Sequence, residues 1–211
     1  MTTGLAPRQQ RSRDTQEKLL VALETLLEER FFEQISVRDL AEEAGLAVGT
    51  LYRRFRDKEA MLPVLYERYD ARLTAWADAV WDDRTLSQHN SGKSRIRHLV
   101  ASHVQFYCAN APILRTLYLH TRLHGELTID NVAARRQSSY QTLLSPLLET
   151  GDWGETVGDD AIRMLILLLV TSVNEYCLFS DQKPMSGLRL PEENFIEELS
   201  RALESYWGAC S

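Results

Sequence analysis

Three short patterns in the sequence carry residue types that could support catalysis or metal binding. Gly92-Lys93-Ser94 looks like the end of a phosphate-binding loop, but the leading glycine of that motif would fall at Ser87. His120 and His124 lie four residues apart, as in some helical zinc sites, but no further ligand stands beside them at a motif spacing. No Gly-x-Ser-x-Gly elbow for a nucleophilic serine occurs. The sequence therefore predicts no enzyme, no metal site and no cofactor.

A second set of residues fits the chemistry of a DNA major groove. Arg53 can reach O6 and N7 of guanine, and Thr50 can meet a thymine methyl group or a phosphate. Tyr52 and Lys58 would lie beside the groove and contact phosphates. Gly49 costs a helix about 1 kcal/mol against alanine, which suits a helix whose backbone approaches DNA closely. The predicted DNA-contacting residues are Arg38, Ala47, Val48, Gly49, Thr50, Tyr52, Arg53 and Lys58.

These side chains need a scaffold that holds one short helix at a fixed angle. Ser36 and Asp39 form a capping box that opens a helix of about two turns. Gly45 follows that helix at the position of a left-handed cap, and a further helix is predicted over residues 48–55. Two short helices joined by such a tight turn predict a helix-turn-helix motif over about residues 36–55. A helix-turn-helix used only for protein packing is the alternative.

The composition is typical of a soluble globular protein, and its charge is unevenly distributed. The chain has 211 residues, 44% hydrophobic and 26% charged, enough to bury a core without metals or disulfides. A formal net charge of −6 excludes a uniformly basic coat for nucleic acid. Two segments are nevertheless positive: residues 1–13, with Arg8, Arg11 and Arg13, and residues 47–58. Positive charge thus gathers around the predicted DNA-contacting residues.

Cysteine usage and hydropathy give an expectation for the compartment. Cys108, Cys177 and Cys210 are odd in number and far apart, which predicts free thiols in a reducing cytoplasm. No apolar leader opens the chain, so we expect no secretory signal. The longest unbroken apolar run, residues 164–170, is far shorter than the roughly 20 residues of a membrane-spanning helix. We therefore expect a cytoplasmic protein with no membrane partner.

Apolar residues recur at helical spacing along most of the chain, and no segment alternates as a strand would. About nine helices are predicted, over residues 14–30, 36–44, 48–55, 57–80, 94–109, 112–124, 129–150, 159–179 and 192–207. The fold class is all-α, with a flexible basic arm at 1–13, a three-helix DNA-binding domain at 14–60 and a helical domain at 61–211. Residues 82–94 are predicted to form a loop, and Pro63 to kink the long fourth helix.

Three runs around the helix-turn-helix form a recurring pattern. They are Leu40-Ala41-Glu42-Glu43-Ala44-Gly45-Leu46, Gly49-Thr50-Leu51-Tyr52-Arg53-Arg54-Phe55 and Lys58-Glu59-Ala60. This pattern resembles the TetR family of bacterial transcriptional regulators over about residues 14–62. Two positions depart from it. Ser36 replaces the usual threonine, and Ala47 stands where Ser or Thr usually caps the recognition helix, removing a cap of about 1 kcal/mol.

The resemblance implies a partner for each half of the chain. The head would bind a palindromic double-stranded DNA operator, and the C-terminal domain would bind a small-molecule effector and form a homodimer through about residues 159–179 and 192–207. A two-fold dimer reads half-sites about 34–36 Å apart or a multiple of that. Repression is the family default, with the effector moving the fourth helix and releasing the operator. Transcriptional activation, a helical enzyme and a protein-interaction module are the alternatives.

Several polar or aromatic residues of the C-terminal domain are candidates for effector contacts. They are His103, Tyr107, Tyr118, Arg122, Tyr140 and Asn174, with Tyr176 as a further polar group. His103 lies on an apolar helix face, where a hydrogen-bonded core histidine is the alternative. An inward-pointing Arg122 would favour an anionic or carbonyl-bearing effector, and an outward-pointing one would favour an aromatic, apolar pocket.

Overall fold

A computed structural model describes residues 7–125, 132–150, 158–179 and 188–210 of the chain. Within these ranges no strand occurs, and the all-α prediction is confirmed. Ten α-helices lie in the described ranges: α1 (Pro7–Glu29), α2 (Val37–Glu43), α3 (Val48–Arg54), α4 (Leu62–Ala79), α5 (Asp83–Gln88), α6 (Gly92–Ala109), α7 (Ala111–His124), α8 (Val132–Leu148), α9 (Asp159–Leu178) and α10 (Glu192–Cys210). Two 3₁₀ turns, Phe32–Gln34 and Glu59–Met61, precede α2 and α4.

The first compact unit comprises Met1–Tyr69 and Pro112–Thr128 and contains α1, α2, α3 and most of α7. Its core is built from leucines that helical spacing brings to the inner faces; they include Leu19, Leu23, Leu27, Leu40 and Leu51. The buried Arg115 of α7 donates a hydrogen bond to the carbonyl oxygen of Leu27 at 3.1 Å and lies 4.7 Å from the ring centroid of Phe31. The unit thus includes a helix beyond the predicted boundary at residue 60.

The second compact unit comprises Asp70–Ala111 and Ile129–Ser211. Here α6 packs against α9 and α10. Leu99, Leu169 and Trp207 contribute one buried side chain from each of these three helices. The second unit therefore has its own apolar core.

Helix α1 begins earlier than its sequence signal indicated. Residues 7–13 are helical, so the predicted flexible arm is wrong for this stretch, while residues 1–6 lie outside the described ranges. Asp14 does not cap a helix, and its carboxylate instead accepts a hydrogen bond from Nε2 of Gln10 at 2.9 Å. An aspartate followed by a glutamate three residues later also occurs inside helices, because side chains three or four residues apart are neighbours on the helix surface.

Two further predictions around α4 differ from the structure. The predicted loop at 82–94 contains the short helix α5, and Asp82 caps this helix by accepting the backbone N–H of Thr85 at 2.7 Å. Pro63 is the second residue of α4, in its first turn, so the position from which a kink or a missing backbone bond was expected is wrong. A proline in the first turn removes no hydrogen bond, because those N–H groups have no partner within the helix.

Cys108 and Cys177 are joined by a disulfide bond, so the prediction of free thiols is wrong for this pair. Their Cα atoms lie 4.9 Å apart, although 69 residues separate them along the chain. Spacing alone did not reveal the pairing because the contact depends on how α6 packs against α9. The side chain of Cys210 lies outside the described part.

Helix α9 is largely apolar, and most of its residues are not buried in the single chain. By length and composition it is the one described helix that could cross a membrane, with a mean hydropathy of 1.6 over its most apolar window. Only 28% of that window is buried. The apolar core helices of soluble proteins pass the same test. Its longest unbroken apolar run is short because Arg163 and Thr171 bound it.

Candidate nucleic-acid interface

The turn between α2 and α3 has the geometry that its glycine predicted. Gly45 has a φ of +63°, in the left-handed region that favours glycine. Its backbone N–H bonds to the carbonyl of Glu42 at 3.0 Å, and the N–H of Leu46 bonds to that of Ala41 at 2.8 Å. These two bonds form a Schellman cap, which ends α2 and redirects the chain. The predicted left-handed cap is confirmed, and it positions α3.

Helix α2 begins at the predicted capping box. The hydroxyl of Ser36 accepts the backbone N–H of Asp39 at 3.1 Å, and a carboxylate oxygen of Asp39 accepts the N–H of Ser36 at 2.8 Å. The hydrogen bond from the Ser36 backbone lowers the pKa of Asp39, and the nearby Arg30 guanidinium adds to the effect. Because an ionised Asp39 accepts this bond, the box is formed at neutral pH.

Helix α3 presents most of the predicted DNA-contacting residues to solvent. Tyr52 is 55% exposed, and Val48, Gly49 and Arg53 are exposed as well. Thr50 is half-buried, and its hydroxyl accepts a hydrogen bond from Nη2 of Arg53 at 2.9 Å. Arg38 on α2 and Ala47 before α3 are also exposed. Five of the eight predicted residues thus lie on α3, and Ala47 directly precedes it, whereas Arg38 lies on α2 and Lys58 follows α3.

The start of α3 lacks a side-chain cap, as the alanine at this position predicted. Ala47 is the N-cap residue, with a φ of −72° and a ψ of 143°, and makes no side-chain hydrogen bond. The first backbone N–H groups of α3 are therefore not satisfied by this residue's side chain.

Gly49 has no steric reason to be a glycine within the chain. A Cβ atom built on it meets nothing within 4 Å, and its φ lies outside the left-handed region. Neither packing nor backbone strain therefore explains the residue. The interpretation made from the sequence, that Gly49 lets the helix backbone approach DNA closely, stays a prediction.

Lys58 makes contacts that the sequence did not reveal. Its Nζ donates hydrogen bonds to the carbonyl oxygens of Phe32 at 2.9 Å and Ile35 at 3.0 Å. The ammonium also lies 4.5 Å from the ring centroid of Phe32. Two of its three N–H donors are used inside the protein, so Lys58 supports the segment before α2. The phosphate contact of Lys58 stays a prediction. Only the third N–H donor is left to make that contact.

One basic residue was left out of the predicted contact set although it belongs to the same helix. Arg54 is the last residue of α3 and is exposed. A cation in the last turn of a helix also interacts favourably with the helix dipole. The signal that could have identified it is the local positive charge. Arg56, which follows, differs because its guanidinium pairs with the carboxylate of Asp57 at 2.7 Å.

The second unit brings two of the predicted effector residues together in an aromatic cluster. The ring centroids of His103 and Tyr107 lie 4.4 Å apart, and Trp76 meets His103 edge-on at 5.2 Å. His103 is only 1% exposed, and neither ring nitrogen has a hydrogen-bond partner in the described part of the chain. Burial lowers the pKa of His103 to about 3, so the imidazole is neutral at physiological pH.

The other predicted effector residues are placed elsewhere. Tyr140 lines a cavity of about 740 Å³ between α8 and α9, and Asn174 is half-buried on α9. Tyr176, also on α9, stacks on Phe195 with ring centroids 4.1 Å apart. In the first unit, Arg122 and Tyr118 are exposed and form a cation–π pair at 5.0 Å. Arg122 therefore points outward, the orientation for which the sequence predicted an aromatic, apolar pocket.

The two histidines with the spacing of a zinc site lie with their imidazole rings close together. His120 and His124 have ring centroids 4.8 Å apart. Among the residues that the structure describes, no group of three or more His, Cys, Asp or Glu side chains could hold a metal ion.

A capped turn that presents an exposed, arginine-bearing helix is the geometry of a helix-turn-helix motif. Residues 19–65 match the family model described as "Bacterial regulatory proteins, tetR family", which confirms the resemblance found in the sequence for this segment. The chain has the fold of TetR-type regulators.

Known proteins are similar to the chain over most of its length. The nucleoid occlusion factor SlmA of Actinobacillus pleuropneumoniae is 22% identical over 203 residues, which cover 92% of this chain and 88% of the relative. A TetR transcription regulator from Haloarcula marismortui has a similar fold, with a TM-score of 0.63 at 14% identity, covering 94% of this chain and 98% of the other. The regulator FadR from Bacillus subtilis, in complex with stearoyl-CoA, gives 0.55 at 15% identity, covering 93% and 98%.

Proposed function

We propose that the protein is a cytoplasmic, homodimeric repressor that binds a palindromic operator and is released from it by a small-molecule effector. The observation that carries the DNA-binding part is the surface of α3. This helix leaves Tyr52 and Val48 exposed and carries a glycine that packing does not require. Exposing these apolar and aromatic side chains to water is unfavourable unless a partner covers them. The adjacent Arg53 is suited to contacts with DNA.

The contacts at the operator follow from the positions of the side chains. Arg53 and Thr50, which are already hydrogen-bonded to each other, meet base edges in the major groove. Tyr52 and Arg38 lie to the sides and contact phosphates. Gly49 and the uncapped N–H groups after Ala47 let the backbone itself approach a phosphate.

The dimer interface is proposed to involve α9 and α10. Met164 and Leu167 of α9 are exposed in the single chain, on a helix that is apolar but mostly uncovered. A second copy of the same surface would remove these side chains from water through an isologous interface. Dimerisation also supplies the second recognition helix that specific binding requires.

The effector is proposed to contact the aromatic cluster around His103 and Tyr107. An unpaired, buried imidazole costs free energy that a ligand hydrogen bond would recover. Because the imidazole is neutral, the fitting effector has an aromatic or apolar body and an uncharged hydrogen-bonding group. Binding would shift the population of recognition-helix spacings away from the one that the operator needs.

The cavity between α8 and α9 favours a different effector class. Its lining includes apolar and uncharged polar side chains, two arginines, Arg136 and Arg163, and one acidic residue, Asp159. The two arginines outnumber the carboxylate, a combination that suits an amphipathic anion such as the stearoyl-CoA bound by the FadR neighbour. Thermal denaturation with phenol and with stearoyl-CoA separates the two sites. We expect phenol to stabilise the wild type but not His103→Phe. Stabilisation by stearoyl-CoA that Arg163→Ala abolishes would instead identify the cavity as the effector site.

The DNA-binding proposal is tested by titrating labelled duplex at several salt concentrations. The wild type should lose affinity steeply as salt rises, because phosphate contacts release counterions. Arg53→Ala should lose about 1–3 kcal/mol of discrimination at one base pair. Arg97→Ala removes the same charge from an exposed position on α6 and serves as the control. Equal behaviour of the two variants would contradict base reading by Arg53.

A further inference from the structure

The disulfide between Cys108 and Cys177 joins the two helices that carry the proposed effector and dimer surfaces. Cys108 lies in the last turn of α6, directly after Tyr107 of the aromatic cluster, and Cys177 lies in the last turn of α9. Within the second unit these helices are packed against each other. The bond therefore joins the ends of the two helices that carry these proposed surfaces.

The two sulfur atoms differ in their access to solvent. Cys177 is 1% exposed, whereas Cys108 is half-buried. A soluble thiol or oxidant therefore reaches the pair through Cys108. This asymmetry is what an exchange reaction needs, since one sulfur is attacked and the other leaves or resolves.

The position at two helix C-termini also affects the balance between thiols and disulfide. The negative end of a helix dipole disfavours a thiolate. A pair whose thiolates are not stabilised holds its disulfide more firmly than a pair of thiols at helix N-termini. The structure thus favours formation of the bond, while the reducing compartment proposed above favours its reduction.

We propose that Cys108 and Cys177 are a reversible thiol–disulfide site that responds to hydroperoxides and to the glutathione pool. In oxidation, the Cys108 thiolate attacks the terminal oxygen of a hydroperoxide and the O–O bond breaks, giving a sulfenic acid and an alkoxide (hydroxide from hydrogen peroxide), which takes up one proton. The Cys177 thiol then attacks the Cys108 sulfur and water leaves, so that two thiols lose two electrons and two protons in all.

In reduction, a glutathione thiolate attacks the Cys108 sulfur and releases the Cys177 thiolate, which takes up a proton. A second glutathione then frees Cys108 and leaves as glutathione disulfide. Reversibility in the cell depends on the proposed cytoplasmic location, but pairing of the two cysteines does not.

The test uses the full chain and does not depend on DNA. Folded protein is reduced, treated with hydrogen peroxide and digested under non-reducing conditions, and then re-equilibrated in glutathione buffers. We expect a peptide that links Cys108 to Cys177, an intact mass lower by about 2 Da, and loss of the link at cytosolic glutathione ratios. Cys210→Ser is the matched control and should behave as the wild type, whereas Cys108→Ser and Cys177→Ser should not form the link.

Melting temperature gives a second readout. Closing a long loop should raise it by roughly 10 °C in the oxidised wild type and not in Cys108→Ser. Failure of the folded wild type to form the linked peptide would overturn the site. A link that glutathione opens only after denaturation would overturn its reversibility. Absence of DNA binding in every redox form would contradict the proposed function and leave the thiol result standing.

Discussion

At position 49 the recognition helix carries a residue that its own fold does not require. Alanine fits there without any contact under 4 Å and is the better helix former by about 1 kcal/mol. Stability and DNA affinity should therefore respond to this position in opposite directions. A residue needed only for packing would move both in the same direction.

For Gly49→Ala we expect a gain of up to about 1 kcal/mol in the free energy of unfolding and a loss of DNA affinity. Urea denaturation measures the first and duplex titration the second. Gly158→Ala, also in open space but before α9, is the control and should leave DNA affinity unchanged. A Gly49→Ala variant that binds DNA as tightly as the wild type would contradict close approach of the backbone.

His103 makes stability depend on pH in a direction fixed by its burial. The folded protein binds a proton on this imidazole only near pH 3, whereas the unfolded chain binds one near pH 6.5. Because the unfolded state then holds the extra proton, stability should fall as pH drops from about 6.5 towards 3, by up to about 1.4 kcal/mol per pH unit.

Replacing the imidazole with phenylalanine should remove this contribution. His103→Phe is expected to unfold with a shallower acid dependence in the same pH window, measured by urea denaturation at each pH. His124→Phe changes an exposed histidine and provides the comparison. Parallel acid profiles for His103→Phe and the wild type would show that the buried imidazole is not the cause.

At the scale of elements, most of the helix-turn-helix was predictable because its signals are local. The Ser36 box, the Gly45 turn and the missing cap at Ala47 each involve backbone groups within a few residues, and all three occur as the sequence indicated. The contacts of Lys58 were not predictable, because they reach carbonyls more than 20 residues away. The same applies to the Cys108–Cys177 bond, which depends on tertiary packing.

Lys58 should therefore stabilise the segment that leads into α2. For Lys58→Met, which keeps the apolar stem but loses two charged hydrogen bonds, we expect a loss of about 1–3 kcal/mol in the free energy of unfolding. Lys93→Met is the matched control: its exposed ammonium lies 3.7 Å from Glu204, and the change should stay within about 0.5 kcal/mol. Unchanged stability of Lys58→Met with weaker DNA binding would favour the direct phosphate contact instead.

The whole molecule is proposed to act as a dimer, since two recognition helices are needed to read two half-sites. Leu167 on α9 is 54% exposed in the single chain, and an arginine at this position should introduce like charges at a two-fold interface. Sedimentation of the wild type should give twice the 24.2 kDa mass of the chain, and Leu167→Arg should give the monomer mass. Leu123→Arg changes a leucine that is 66% exposed on α7 and should remain dimeric. A dimeric Leu167→Arg variant would place the interface elsewhere.

The most direct measurement is selection of bound sequences from a random pool of DNA duplexes with the purified protein. The account predicts enrichment of a palindrome whose half-sites lie about 34–36 Å apart, or a multiple of that distance. It also predicts that Arg53→Ala relaxes one position in each half-site. Failure of the folded dimer to enrich any sequence at low salt would contradict the central claim that α3 reads DNA.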